Sequence, residues 1–68
     1  MRMLRLQEVI STTGLSRSSI YRLIESDEFP KSVQLGGRSV AWVDEEINDW
    51  LLERIAQRDA VSGFQGGK

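Results

Sequence analysis

Thr13-Gly14-Leu15-Ser16-Arg17-Ser18-Ser19-Ile20-Tyr21-Arg22-Leu23-Ile24 is the stretch from which the fold is read. Gly14 suits a helix C-terminus, where a residue without Cβ enters the left-handed conformation at little cost. Leu15 is placed to fold back into a core, and Ser16 is a good N-cap for a helix running to about Ser26. Ile20, Leu23 and Ile24 have helical spacing and define that helix's inward side. Upstream, Leu6, Val9 and Ile10 fall at i, i+3 and i+4, which predicts a helix over Leu6 to Thr13. Two helices joined by a short glycine-containing turn form the outline of a helix-turn-helix.

Downstream of this unit, Phe29-Pro30 is expected to end the helical part, because proline lacks an amide donor and pushes its predecessor toward extended backbone. Val33-Gln34-Leu35 and Val40-Ala41-Trp42 alternate around Gly36-Gly37-Arg38-Ser39, which predicts a hairpin. A two-residue Gly36-Gly37 loop would pair Leu35 with Arg38; the preferred four-residue loop over 36–39 would set Leu35 against Val40 and Val33 against Trp42, with all four on one buried face and Arg38 near the tip. Asp44 is read as the cap of a third helix from about Glu45 to Gln57, with Ile47, Trp50, Leu51 and Ile55 as its apolar stripe. Arg54 and Arg58 near its end suit the helix dipole. The expected fold is thus mainly α with a small β-hairpin, a winged helix-turn-helix of three helices plus a two-stranded wing. Residues 1–58 form the domain, and 59–68 are expected to be a flexible tail, although Phe64 has the character to dock.

The chain has 68 residues, which fits one domain. It contains no cysteine and no histidine. That removes disulfides, thiolate nucleophiles, imidazole bases and the usual ligands of structural zinc, so no metal or cofactor is expected. The acidic run Asp44-Glu45-Glu46 is explained by a helix N-terminus rather than by a cation. No nucleophile-base pair or phosphate-binding loop can be assembled, and an enzyme is not expected. Nor is a membrane span or a small-molecule ligand, and the expected location is the cytoplasm.

Net charge is −1, so any grip on nucleic acid depends on where the charges sit. Residues 1–43 carry Arg2, Arg5, Arg17, Arg22, Lys31 and Arg38 against Glu8, Glu25, Asp27 and Glu28, a net of +2. Residues 44–68 carry Asp44, Glu45, Glu46, Asp49, Glu53 and Asp59 against Arg54, Arg58 and Lys68, a net of −3. With a Debye length of about 8–10 Å, one face can meet phosphate while an acidic helix points away.

On the second helix Ser18, Tyr21, Arg22 and Glu25 lie on the outward arc, with Arg17 and Ser19 at its edges. A polar helix face taken alone is ordinarily just solvated. Here it belongs to a helix-glycine-helix unit followed by a glycine-tipped hairpin with Lys31 and Arg38, and that combination predicts DNA contact. Arginine bonds a guanine edge bidentately, and Ser and Tyr hydroxyls reach bases or phosphates. Arg38 is placed to touch backbone or minor groove, and Lys31 to make a positioning phosphate contact. Arg2 and Arg5 fit a phosphate contact and a solvated surface equally well. Trp42 and Trp50 fall in the alternating and helical apolar patterns and are read as core.

Leu6-Gln7-Glu8-Val9, the string Gly14-Leu15-Ser16-Arg17-Ser18-Ser19-Ile20-Tyr21-Arg22, Phe29-Pro30-Lys31, Leu35-Gly36-Gly37-Arg38 and Trp42 together resemble the AlpA family of small prophage-type transcriptional regulators. The resemblance spans Met3 to about Leu52. It implies a winged helix-turn-helix of the excisionase and MerR-like group, with the second helix in the major groove and the wing on adjacent backbone or minor groove. On matching positions it implies reading-helix contacts by Arg17, Ser18, Ser19, Tyr21 and Arg22, and wing contacts by Lys31, Arg38 and Ser39. Ser32 departs from the family's pattern, where a second proline is common. The implied function is sequence-specific regulation of transcription in a prophage or mobile element, with double-stranded DNA as partner and a homodimer or cooperative assembly on it. The alternatives are an excisionase-like architectural recombination factor and, behind it, a protein-interaction adaptor working through the acidic third helix.

Overall fold

The computed structural model describes residues 1–62. Among them the elements run β1 (Met3–Leu4), α1 (Leu6–Thr13), α2 (Arg17–Glu25), β2 (Val33–Gly36), β3 (Ser39–Val43) and α3 (Asp44–Ser62). The mainly α winged helix-turn-helix is therefore what the chain forms. To the expected two-stranded wing it adds a third strand, giving an antiparallel sheet ordered β1-β3-β2.

α1 begins where Glu8 turns back to accept the Arg5 amide at 2.9 Å, and it ends at Gly14 with φ 77°, whose amide donates to Ile10 at 2.8 Å. Thr13 ties this corner from both sides, its hydroxyl donating to the Val9 carbonyl at 2.8 Å and accepting the Leu15 amide at 3.2 Å. α2 starts from Ser16, whose Oγ accepts the Ser19 amide at 3.1 Å. Its end is not set by Pro30. Asp27 takes up left-handed backbone at φ 62°, Glu28 N–H donates to the Leu23 carbonyl at 2.8 Å and Asp27 N–H to Ile24 at 3.1 Å. That pair of bonds is a Schellman motif with aspartate in the position glycine usually holds, and it satisfies the last carbonyls before the proline is reached.

Leu4, Val9, Ile20, Phe29, Trp42 and Ile47 form the core, one from each element except β2 and Phe29 from the segment between α2 and β2. Val9, Ile20 and Ile47 are fully buried, each adding about 1.5–3 kcal/mol relative to exposure. Trp42 is fully buried on the central strand, and its indole N–H donates to the Pro30 carbonyl at 3.0 Å. Trp50 is half-buried, donates to the Glu28 carbonyl at 2.7 Å and meets Phe29 edge to face at 4.8 Å. Trp42 is thus core, as its place in the apolar pattern predicts, whereas Trp50 packs against the core, and both also pin the segment between α2 and the wing through their indole N–H groups.

The wing departs from expectation in its register. Val33 pairs with Ala41, Gln34 with Val40 and Gly36 with Ser39, with a bulge between Gln34 and Gly36. The turn is therefore the two residues Gly37 and Arg38, with Gly37 at φ 54°. The bulge leaves Leu35 without a partner, and the offset sets Val33 beside Ala41 instead of Trp42. Neither joins the core: Val33 is 40% exposed and Leu35 51%. What faces Trp42 is Leu4, on the unanticipated β1. β1 is held beyond its two ladder pairs by Asp44, whose amide donates to the Arg2 carbonyl at 2.9 Å and whose carboxylate accepts the Arg2 amide at 3.1 Å. Asp44, expected to sit just outside the third helix as its cap, is the first residue of α3.

α3 runs on to Ser62, so residues 59–62, expected in a tail, lie in its last turn. Its N-terminal half seats Ile47 and half-buries Trp50 and Leu51. Ile55 belongs by spacing to the same stripe but is 45% exposed. From Leu52 through Ala60 every residue is exposed, so this half of the helix has no core beneath it. The remainder of the expected tail, including Phe64, lies outside the described residues. Among those described, no helix is long and apolar enough to cross a membrane.

Candidate nucleic-acid interface

α2 is anchored through one side. Ile20 is fully buried and Leu23 and Ile24 are half-buried, which turns Arg17, Ser18, Tyr21, Arg22 and Glu25 outward, all exposed. The helix is nine residues, about 13–14 Å long, and is rigidly begun and ended by the Ser16 cap and the Schellman turn. Ser19 differs from its neighbours. It is half-buried, and its hydroxyl accepts from Ser16 Oγ at 3.0 Å, so part of its bonding capacity already serves the cap.

The charges on this surface separate into paired and unpaired. Lys31 reaches back to Asp27 at 3.1 Å, with both side chains largely exposed, a pair worth at most about 1 kcal/mol and readily exchanged for a phosphate. Arg2 is paired with Glu8 at 2.8 Å. Arg17, Arg22 and Arg38, by contrast, form no ion pair among the described residues. Arg22 makes none even with Glu25, one turn away on the same helix. Three guanidiniums, each with five donors and a fixed planar fork, are thus held out to solvent.

Arg38 occupies the wing turn, as expected for a tip residue, and Ser39 beside it is half-buried as the first residue of β3. The turn is braced by Gln34, whose side-chain amide donates to the Gly37 carbonyl at 2.6 Å. By alternation Gln34 is only the polar member of a strand and Leu35 belongs inside the core; the bulge that ejects Leu35 has no local sequence signal apart from the two glycines that follow.

A family model described as prophage CP4-57 regulatory protein (AlpA) matches residues 2–55. Among curated relatives, a protein of Enterobacteria phage P4 described as uncharacterized protein ORF88 is 53% identical over 57 residues, covering 84% of this chain and 65% of that protein. This chain therefore spans just under two thirds of that relative's length. The DNA-binding transcriptional activator AlpA of Escherichia coli (strain K12) is 41% identical over 59 residues, covering 78% of this chain and 84% of that protein.

Proposed function

We propose that this chain, which belongs to the AlpA family of prophage regulatory proteins, is a sequence-specific DNA-binding regulator of transcription in a prophage or other mobile element. The observation that carries this reading is the outer face of α2: Arg17 and Arg22 stand exposed and without an acidic partner among the described residues, on a helix whose opposite side is locked into the core. A major groove about 12 Å wide admits one such helix. Arg22 then bonds base edges, Tyr21 and Ser18 reach bases or phosphates, and Arg17 and Ser19 lie nearest the backbone at the helix start. Lys31, Arg38 and Ser39 contact backbone or minor groove beside it.

In this reading residues 1–58 are the DNA-binding unit, it works in the cytoplasm, and no enzymatic step is involved. One such unit covers only a few base pairs, whereas specific complexes reach about 10⁻⁸ M or tighter, so binding is dimeric or cooperative on DNA. Activation is stated for the Escherichia coli relative.

The test is binding to labelled duplexes tiled across the DNA flanking the gene, at low and near-physiological salt. Saturable binding to one tile that survives the higher salt is expected. Absence of binding to every tile, even at low salt, overturns the reading and favours a protein partner.

A further inference from the structure

β2 exposes its apolar side chains and turns its polar one onto the hairpin's own backbone. On β2, Val33 and Leu35 are 40% and 51% exposed, while Gln34 is turned onto the Gly37 carbonyl. Leu35 is the bulged residue, unpaired in the ladder, and it stands three positions before Arg38, which has no acidic partner among the described residues. Between them Gly36 and Gly37 offer bare backbone, with no atom within 4 Å of where either Cβ would sit. An isolated exposed leucine requires no explanation. A leucine left exposed at a bulge, three positions before an exposed guanidinium and separated from it by two glycines, puts an apolar side chain and a cation on one short stretch of open backbone.

We propose that Leu35 is a minor-groove contact, lying against the deoxyribose walls and the floor of A·T pairs while Arg38 follows the groove's negative potential. The inference rests on the DNA-binding reading above and adds a specificity-determining residue to it. Complementarity carries it: the minor groove is a slot about 6 Å wide with apolar sugar C–H walls and a rim of phosphate charge. Arginine is drawn to such grooves where A-tracts narrow them, and apolar side chains are used there by other proteins. A G·C pair places an exocyclic amine on the groove floor, which a leucine there would leave without a partner. Leu35 thereby selects A·T over G·C at the flank of the site.

The experiment uses the full chain and a duplex recovered by selection from a randomised library, rebuilt with A·T-only flanks. In a second version the flanking adenines are 2,6-diaminopurine, which adds an amine to the minor groove and keeps the A·T pattern in the major groove. Wild type is expected to bind the modified duplex about tenfold more weakly, and Leu35→Ala to lose about tenfold on the unmodified duplex and most of its sensitivity to the modification. Leu35→Met, which keeps an apolar side chain of similar volume, should behave as wild type. Since Leu35 lies outside the core, thermal melts of both variants should match wild type. Leu35→Ala binding within roughly twofold of wild type, or losing affinity while keeping its full sensitivity to the added amine, overturns the proposal and leaves the α2 reading intact. Failure of wild type to retain any duplex during selection overturns both.

Discussion

Ser16 connects the stability of the fold to the surface that meets DNA, and its replacement gives the sharpest coupled prediction. Its Oγ accepts the Ser19 amide at 3.1 Å and donates to the Ser19 hydroxyl at 3.0 Å, so it organises the turn of α2 that carries Arg17, Ser18 and Ser19. Ser16→Ala removes the acceptor for an orphan helix amide, a loss of about 1 kcal/mol. For a chain of 68 residues that corresponds to a melting temperature lower by about 4–8 °C. Ser16→Asp keeps the acceptor and adds a favourable charge at the positive end of the helix, so its melting temperature should equal or exceed that of wild type. The two variants then part in function. Ser16→Ala weakens DNA binding modestly, through fraying of the first turn. Ser16→Asp, the more stable protein, weakens it further, because it sets a carboxylate where phosphate is expected. Melts followed by far-UV circular dichroism and titrations at two salt concentrations read both effects. A melting temperature for Ser16→Ala indistinguishable from wild type would refute the capping argument. Ser16→Asp binding DNA as well as wild type would refute the placement of phosphate at the start of α2.

Three further outcomes are expected. Gly14→Ala meets no steric obstacle, since no atom lies within 4 Å of the added Cβ, but the φ of 77° costs it about 1–2 kcal/mol, measurable by urea denaturation as a lower midpoint at unchanged slope. Trp42→Phe leaves the Pro30 carbonyl without its indole donor and shrinks a fully buried side chain, costing at least about 1–3 kcal/mol, which the same titration reads. Arg38→Ala reduces the slope of log affinity against log salt by about 1, as loss of one cation from the DNA surface requires, and costs more on duplexes with A·T flanks than on those with G·C flanks.

The helical half of the fold was legible because its signals are local. Spacing at Leu6, Val9 and Ile10 with Gly14 behind them places α1 at the bounds observed, and Ser16 with Ile20, Leu23 and Ile24 does the same for α2 to within a residue. The failures all lie where a decision is made at a distance. Alternation over Val33, Leu35, Val40 and Trp42 predicts a shared buried face, but one bulged residue reverses such a pattern, and only the glycine pair that follows marks it. β1 is two residues long, too short for any period, and exists because β3 and Asp44 receive it. α2 is stopped at Asp27, a left-handed residue that is not glycine, three positions before the proline that sequence patterning points to. Ile55 has core spacing, yet α3 extends past the small domain and leaves it in solvent. For the interface, outward positions on α2 followed from the helix wheel, since burying Ile20 leaves no other arrangement. Which cations are paired did not: Lys31 with Asp27 and Arg2 with Glu8 depend on geometry that composition does not contain.

Arg22, the proposed reader of base edges, is the residue on which recognition by α2 turns. The decisive measurement is the affinity of wild type and Arg22→Ala for the selected duplex and for a scrambled duplex of the same composition, at near-physiological salt. Losing a bidentate base contact predicts that Arg22→Ala weakens binding to the selected duplex by about 1–3 kcal/mol while changing the scrambled duplex far less, so that discrimination between them collapses. Equal losses on both duplexes would make Arg22 a phosphate contact only and would contradict the placement of this face of α2 against the bases.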